Sequence, residues 1–119
     1  MHSGNFLWAN SRLTAFDFDD SCYHWFAYDL AVPLFYIRFQ NSEAETKIDL
    51  QKAEKAYLQG YQSRIKHFSN QLDLLEMFVS YRKLIMYGWC QNQLRLKTLS
   101  QPSLDWCKSF LAWAQKEEL

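Results

Sequence analysis

The stretch FDFDDSCYHWFAYDLAVPLFYIRF, Phe16–Phe39, sets three carboxylates, Asp17, Asp19 and Asp20, directly against some of the most aromatic sequence in the chain. A carboxylate beside apolar surface costs free energy unless a cation or several hydrogen-bond donors compensate it. Three in four positions therefore read as a solvated turn or as a set of metal ligands. From Trp25 onward the pattern changes. Residues up to Phe39 are apolar nearly all round, which predicts a helix buried on most faces. Pro33 falls inside it, removes one backbone hydrogen bond and is expected to kink it.

Ahead of this stretch, NFLW and LTAFDF are short apolar runs separated by ANSR. They predict a β-hairpin with strands Asn5–Trp8 and Leu13–Phe18, with Asn10 and Ser11 supplying the turn chemistry. In a hairpin the start of the first strand lies beside the end of the second. Asn5 and Asp17 can therefore bring an amide oxygen and a carboxylate to one ion. Alternation along an extended strand puts Asp17 and Asp19 on one face, with Phe16 and Phe18 opposite. Asp20 reads as a turn or helix-capping residue.

Downstream, NSEAET offers Ser42 with Glu45 three residues on, a capping-box pattern that predicts a helix start. Leu50, Ala53, Tyr57, Tyr61, Ile65 and Phe68 then recur at three- and four-residue steps, opposite Lys47, Lys52, Lys55, Gln59 and Gln62. A third helix is expected from about Leu72 to Leu94, with a stripe of Leu72, Leu75, Val79, Arg82, Ile85, Met86 and Trp89. A last one starts near Pro102 and buries Trp106, Phe110 and Trp113. The fold class is mostly α: a short N-terminal hairpin followed by about four helices.

Composition bounds the function. At 119 residues the sequence is one domain or a piece of one. Thirteen Lys and Arg balance thirteen Asp and Glu, so no global field points to nucleic acid or to an acidic membrane. Aromatic residues at 18% need a dense core, an interface or the remainder of a larger fold to cover them. Cys22, Cys90 and Cys107 are widely spaced, form no CxxC and read as reduced thiols of a cytoplasmic chain. Cys22 and His24 have no second ligand pair to complete a zinc site. No signal-peptide pattern opens the sequence, and no run reaches the roughly 20 apolar residues that span a bilayer.

Taken together, HSGNFLW and LTAFDFDDSCYHWFAYDLAV resemble the catalytic segment of the aminoglycoside phosphotransferase superfamily. That group takes in choline kinases and homoserine-kinase-like enzymes on a protein-kinase-like fold. Its catalytic motif is His-Gly-Asp-x-His-x-x-Asn, followed by a short hairpin, an Asp-Phe-Asp type segment and a Tyr-Asp-Leu-Ala helix start. His2, Gly4 and Asn5 match the end of the first motif, Phe16–Asp20 the second and Tyr28–Ala31 the third. YLQGYQ and LLEMFVSYRKLIMYGW resemble the later helices, so the resemblance spans most of the chain.

The resemblance implies an ATP- and Mg²⁺-dependent phosphotransferase acting on a hydroxyl of a small molecule. Asn5 and Asp17 would be metal ligands and Asp19 a supporting one. His2 and Asp29 would support the catalytic loop structurally. The helices that flank the acceptor in relatives make Tyr57, Tyr61, Tyr81 and Trp89 weak acceptor-side candidates, and better candidates for the core. The proton-accepting Asp would stand five positions before Asn5, immediately ahead of Met1, so no catalytic base is expected within the sequence.

These features describe residues 1–119 as a single partial domain, the C-terminal part of a kinase-like large lobe. Residues 1–20 would carry the catalytic-loop remnant and metal-binding hairpin, and 23–119 the helical part. The isolated chain is expected to be inactive. Other expectations are a module that docks with a separate N-terminal kinase part or self-associates through exposed apolar surface, and a non-functional remnant.

Overall fold

The structure, a computed structural model, describes residues 3–17, 25–65 and 69–116. A single 3₁₀ turn, Ser3–Asn5, leads into an antiparallel hairpin of β1 (Phe6–Ala9) and β2 (Arg12–Ala15). Trp8 pairs with Leu13 and Phe6 with Ala15, and the two residues between the strands, Asn10 and Ser11, have φ of 51° and 57°. Two consecutive left-handed residues make the turn whose twist matches that of the strands, and Asn is among the few side chains that adopt this conformation readily. The expected hairpin is present. Its second strand ends at Ala15, however, and Asp17 turns left-handed with φ of 64°. Phe18, the expected end of the strand, and Asp19, expected on the same face as Asp17, lie outside the described residues.

Four helices follow: α1 (Phe26–Glu43), α2 (Leu50–Gln62), α3 (Leu75–Leu96) and α4 (Gln101–Lys116). α1 is the central element. Ala27, Leu30, Ala31, Leu34, Phe35 and Phe39 are at most 2% exposed, and α1 packs chiefly against α3, which in turn carries α4. The helix runs through Pro33 without interruption. Burial on most faces outweighs the roughly 3 kcal/mol that an interior proline costs. Phe35 and Phe39 meet Phe110 and Trp113 of α4 with ring centroids 5.2–5.9 Å apart, and Trp106 stacks on Phe110. These offset and edge-on rings join α1 to α4.

The capping-box reading of Ser42 and Glu45 is overturned. α1 continues to Glu43, and the Ser42 hydroxyl donates back to the Phe39 carbonyl at 2.6 Å. Lys47 Nζ donates to the carbonyls of Asn41 and Ser42 at 2.8 and 2.7 Å, placing a cation on the unsatisfied C-terminal end of the helix. The N-cap of α2 is Asp49, which accepts from the Lys52 N–H at 3.0 Å. NSEAET is thus a helix end.

α2 stops at Gln62, leaving Ile65 outside it and 37% exposed, and Phe68 lies outside the described residues. On α3 the expected stripe holds at Leu75, Val79 and Met86. Ile85 and Trp89 face outward at 40% and 41% exposure, whereas Phe78 and Cys90 are buried in their place. Among the described residues no helix is long and apolar enough to cross a membrane.

Candidate functional site

The hairpin brings Asn5 and Asp17 together. Its register runs one step past β1 and β2, with the Phe16 N–H donating to the Asn5 carbonyl at 3.0 Å, so Asp17 follows directly on the residue opposite Asn5. The left-handed φ at Asp17 ends the strand there, and Asn5 Nδ2 donates to Asp17 Oδ2 at 3.2 Å. Asn5 is 7% exposed, buried while Asp17 is open to solvent. A buried amide thus anchors an accessible carboxylate at the mouth of the hairpin, with the amide nitrogen, not Oδ1, turned to Asp17. A left-handed non-glycine residue costs about 1–2 kcal/mol, and such strain gathers where a side chain must be aimed. Among the described residues no group of three or more His, Cys, Asp or Glu side chains converges as a complete metal cage.

The other candidates fall elsewhere. Asp29 lies in the first turn of α1, where negative charge suits the helix N-terminus, and its carboxylate is exposed. Its charge reaches the phenols of Tyr57 and Tyr61 on α2. Both phenols are pushed up from their ordinary value, first by burial and then by Asp29, so they stay protonated donors at neutral pH. Tyr81 and Trp89 sit on α3, eight residues and therefore about 12 Å apart along its axis. Tyr81 joins a ring cluster with Tyr28 at 5.7 Å and Phe78 at 6.5 Å, while Trp89 is 41% exposed. The two pairs stand on different helices. His2 and Asp19, like Asp20, Cys22 and His24, lie outside the described residues.

Two polar constructions were missed by the sequence reading. Arg38 of α1 forks onto Glu54 of α2 (Nε–Oε1 2.7 Å, Nη2–Oε2 3.1 Å) and onto Glu76 of α3 (Nη1–Oε2 and Nη2–Oε1, both 2.8 Å). One guanidinium thereby ties three helices. The Arg38 pKa is raised by hydrogen bonds to Glu76 and Glu54, and the Glu76 carboxyl is held below its usual range by its bond to Arg38. An arginine embedded in an apolar run was the one signal available, and it did not name the partners. Arg82, expected on the buried stripe of α3, donates to the phenol oxygens of Tyr28 and Tyr36 at 3.4 and 3.2 Å. It ties α3 to α1 at two points eight residues apart, and its Nε is buried with no hydrogen-bond partner among the described residues.

A family model described as "Phosphotransferase enzyme family" matches residues 1–64, the segment that holds the hairpin, α1 and α2. The chain belongs to the phosphotransferase enzyme family. Amicoumacin kinase of Bacillus subtilis (strain 168) is 26% identical over 121 residues, a match covering 92% of this chain and 33% of the relative. The chain thus spans about a third of the length of the curated relative it matches. No solved structure matches it. Within the phosphotransferase match lies the whole Asn5–Asp17 pair, whereas α3 and α4, with Tyr81 and Trp89, lie beyond it.

Proposed function

We propose that this chain supplies the metal-holding hairpin and acceptor-side helices of an ATP- and Mg²⁺-dependent phosphotransferase that phosphorylates a hydroxyl of a small molecule. The observation that carries the proposal is the Asn5–Asp17 pair at 3.2 Å on the hairpin mouth, inside the segment matched by the family model. The relative's name supports a small-molecule acceptor.

The donor set fits magnesium. Mg²⁺ takes hard oxygen ligands and is commonly held by one or two carboxylates together with substrate phosphates and water. Asp17 offers an accessible carboxylate and Asn5 an amide whose Oδ1 is a hard oxygen. When bound, the ion would neutralise charge on the transferring phosphates. What the chain itself does is positioning. Asn5 fixes the carboxylate of Asp17, Arg82 and Arg38 hold α1 against its neighbours, and the protonated Tyr57 and Tyr61 offer donors beside Asp29. The proton acceptor for the substrate hydroxyl lies outside this sequence in this reading, and so do the groups that hold the nucleotide.

Titrating Mn²⁺ with ATP into isotopically labelled chain while following amide signals tests the site. The signals of residues 5 and 17 should broaden first in the wild type. In Asp17→Ala that selectivity should disappear, and in Asn5→Ala it should weaken. Equal broadening in wild type and Asp17→Ala would sink the assignment.

A further inference from the structure

α3 carries an apolar stripe on the side away from its buried residues. Met77, Tyr81, Leu84 and Ile85 are 54%, 46%, 56% and 40% exposed, and Gly88 continues the line one turn on. Steps of three and four residues fall on one side of a helix, so these positions lie opposite the buried Leu75, Val79, Met86 and Cys90. The charged residues between them are drawn to other sides. Arg82 donates to Tyr28 and Tyr36, and Lys83 stands over the Trp113 ring at 5.2 Å. Charge reaches the stripe only at its two ends, as Asp73 one turn before Met77 and Arg95 two turns after Gly88, both exposed and neither in an ion pair among the described residues. Gly88 is the odd member. A Cβ added there would meet no heavy atom within 4 Å, so nothing inside the chain requires a glycine, although glycine is among the least favourable residues in a helix interior. What it provides is a gap in the surface beside Tyr81 and Leu84, where another backbone or ring can approach closely.

We propose that this stripe is the contact between two copies of the chain, their α3 helices crossing antiparallel about a two-fold axis at Leu84. Such an axis sets residues equally far before and after Leu84 against each other. Asp73 and Arg95 each lie eleven positions from Leu84, so the acid of one copy meets the base of the other, twice per dimer. Tyr81 and Gly88 lie three and four positions from it, which brings the ring of each copy over the gap of the other. Leu84 then packs against Leu84 and Ile85 across the axis. Charge complementarity selects this occupant: a stripe acidic at one end and basic at the other matches itself only when inverted, and a two-fold axis performs that inversion. Parallel pairing would set Asp73 on Asp73. A membrane surface or a nucleic acid calls for basic residues along the stripe, which is uncharged between its ends. Covering the stripe on both copies removes about 1,000 Å² from water, the lower bound for a specific interface, so the dimer forms at high chain concentration and dissociates on dilution. The inference is independent of the metal-site reading, since α3 lies beyond the segment matched by the family model.

Sedimentation equilibrium of the 119-residue chain, from micromolar to near-millimolar concentration, tests the contact. The expected result is a monomer–dimer equilibrium that Leu84→Glu weakens by about tenfold or more. Gly88→Gln places a helix-favouring side chain in space that is open in the monomer. It should raise the melting temperature of the dilute chain and yet weaken the dimer by about fivefold. Lys55→Gln, on the exposed side of α2, should change the dimer by less than about twofold. At low salt Asp73→Arg and Arg95→Asp should each weaken it by about threefold or more, and the two together should restore it, because the inverted pairs are re-formed with their signs exchanged. Every altered side chain is exposed, so the helical core stays intact, and circular dichroism verifies this for each variant. Three results would overturn the proposal: a chain that remains monomeric over the whole range, a dimer as insensitive to Leu84→Glu and Gly88→Gln as to Lys55→Gln, or a double charge reversal that associates no better than the single ones.

Discussion

At the residue scale the most consequential side chain outside the hairpin is Arg38. It is an arginine in the last third of an almost entirely apolar helix, half-buried, with two glutamates from two other helices satisfying its fork. Surface ion pairs are individually worth little, but here a planar guanidinium is bidentate to each carboxylate and joins three elements. Arg38→Met keeps the apolar stem and deletes the charge. It should lower stability by about 1–2 kcal/mol, because Glu54 and Glu76 are left facing each other without a counter-ion. The same clip predicts a pH dependence. The Glu76 carboxyl is held below its usual value in the folded chain by its hydrogen bond to Arg38. A depressed folded-state pKa stabilises above the unfolded value, roughly 4.3, and that stabilisation is lost as pH falls through the folded one. Urea midpoints measured between neutral pH and pH 3 should decline more steeply for wild type than for Arg38→Met. Parallel curves would show that the clip contributes no linkage. The Glu76 side chain is 71% exposed, so the difference will be small and will shrink with added salt.

At the scale of elements, the turn between β1 and β2 offers the cleanest probe. Asn10 and Ser11 both have positive φ, which suits Asn but strains Ser. Ser11→Gly should stabilise the hairpin by about 0.5–1 kcal/mol, and slower exchange of the amides of residues 6–9 and 12–15 would report it. Unchanged or faster exchange would mean that the strain is not there. This element was legible from the sequence because its signal is local: two apolar runs and two turn residues. The Asn5–Asp17 pairing was legible for the same reason, since hairpin register alone brings residues twelve apart within reach. The NSEAET segment misled because a serine hydroxyl can serve a helix start or donate to a carbonyl one turn back. Which it does depends on where the preceding helix stops. The cap itself was set by Lys47 and Asp49, outside the pattern. The outward turn of Ile85 and Trp89 was invisible for another reason. α3 packs against both α1 and α4, and the positions of those neighbours, which its own apolar pattern does not encode, decide which residues of that pattern are covered. Arg38 was illegible because its partners are 16 and 38 residues away.

For the whole molecule, the buried core and the proposed site occupy different regions. The helical part has a fully buried core in Phe35, Phe39 and Phe110, with Cys90 of α3 and Cys107 of α4 equally buried and both thiols free. Burial and contact with Cys107 push the Cys90 thiol up, so neither accessibility nor thiolate favours reaction. In a Cys22→Ser background both thiols should resist an aromatic disulfide reagent until the helices unfold cooperatively. Reaction at native conditions would reveal local opening of α3 from α4. The proposed metal site, by contrast, lies on the exposed hairpin, none of whose strand residues is buried. From this separation follows the prediction for activity. The chain holds Asn5 beside Asp17, yet in the proposed reading these would only hold a metal ion, and that alone does not transfer a phosphoryl group. In that reading the proton acceptor and the nucleotide-positioning groups lie elsewhere; lacking the first costs about 10²–10⁴ in rate, and lacking the second removes the larger share of the catalysis. A coupled ATPase assay, and acceptor phosphorylation followed with labelled ATP, should therefore show no Mg²⁺-dependent turnover by the 119-residue chain above the Asp17→Ala control. Turnover that Asp17→Ala abolishes would mean that a base and a nucleotide site exist within these residues, and that the division of labour proposed for the hairpin is wrong.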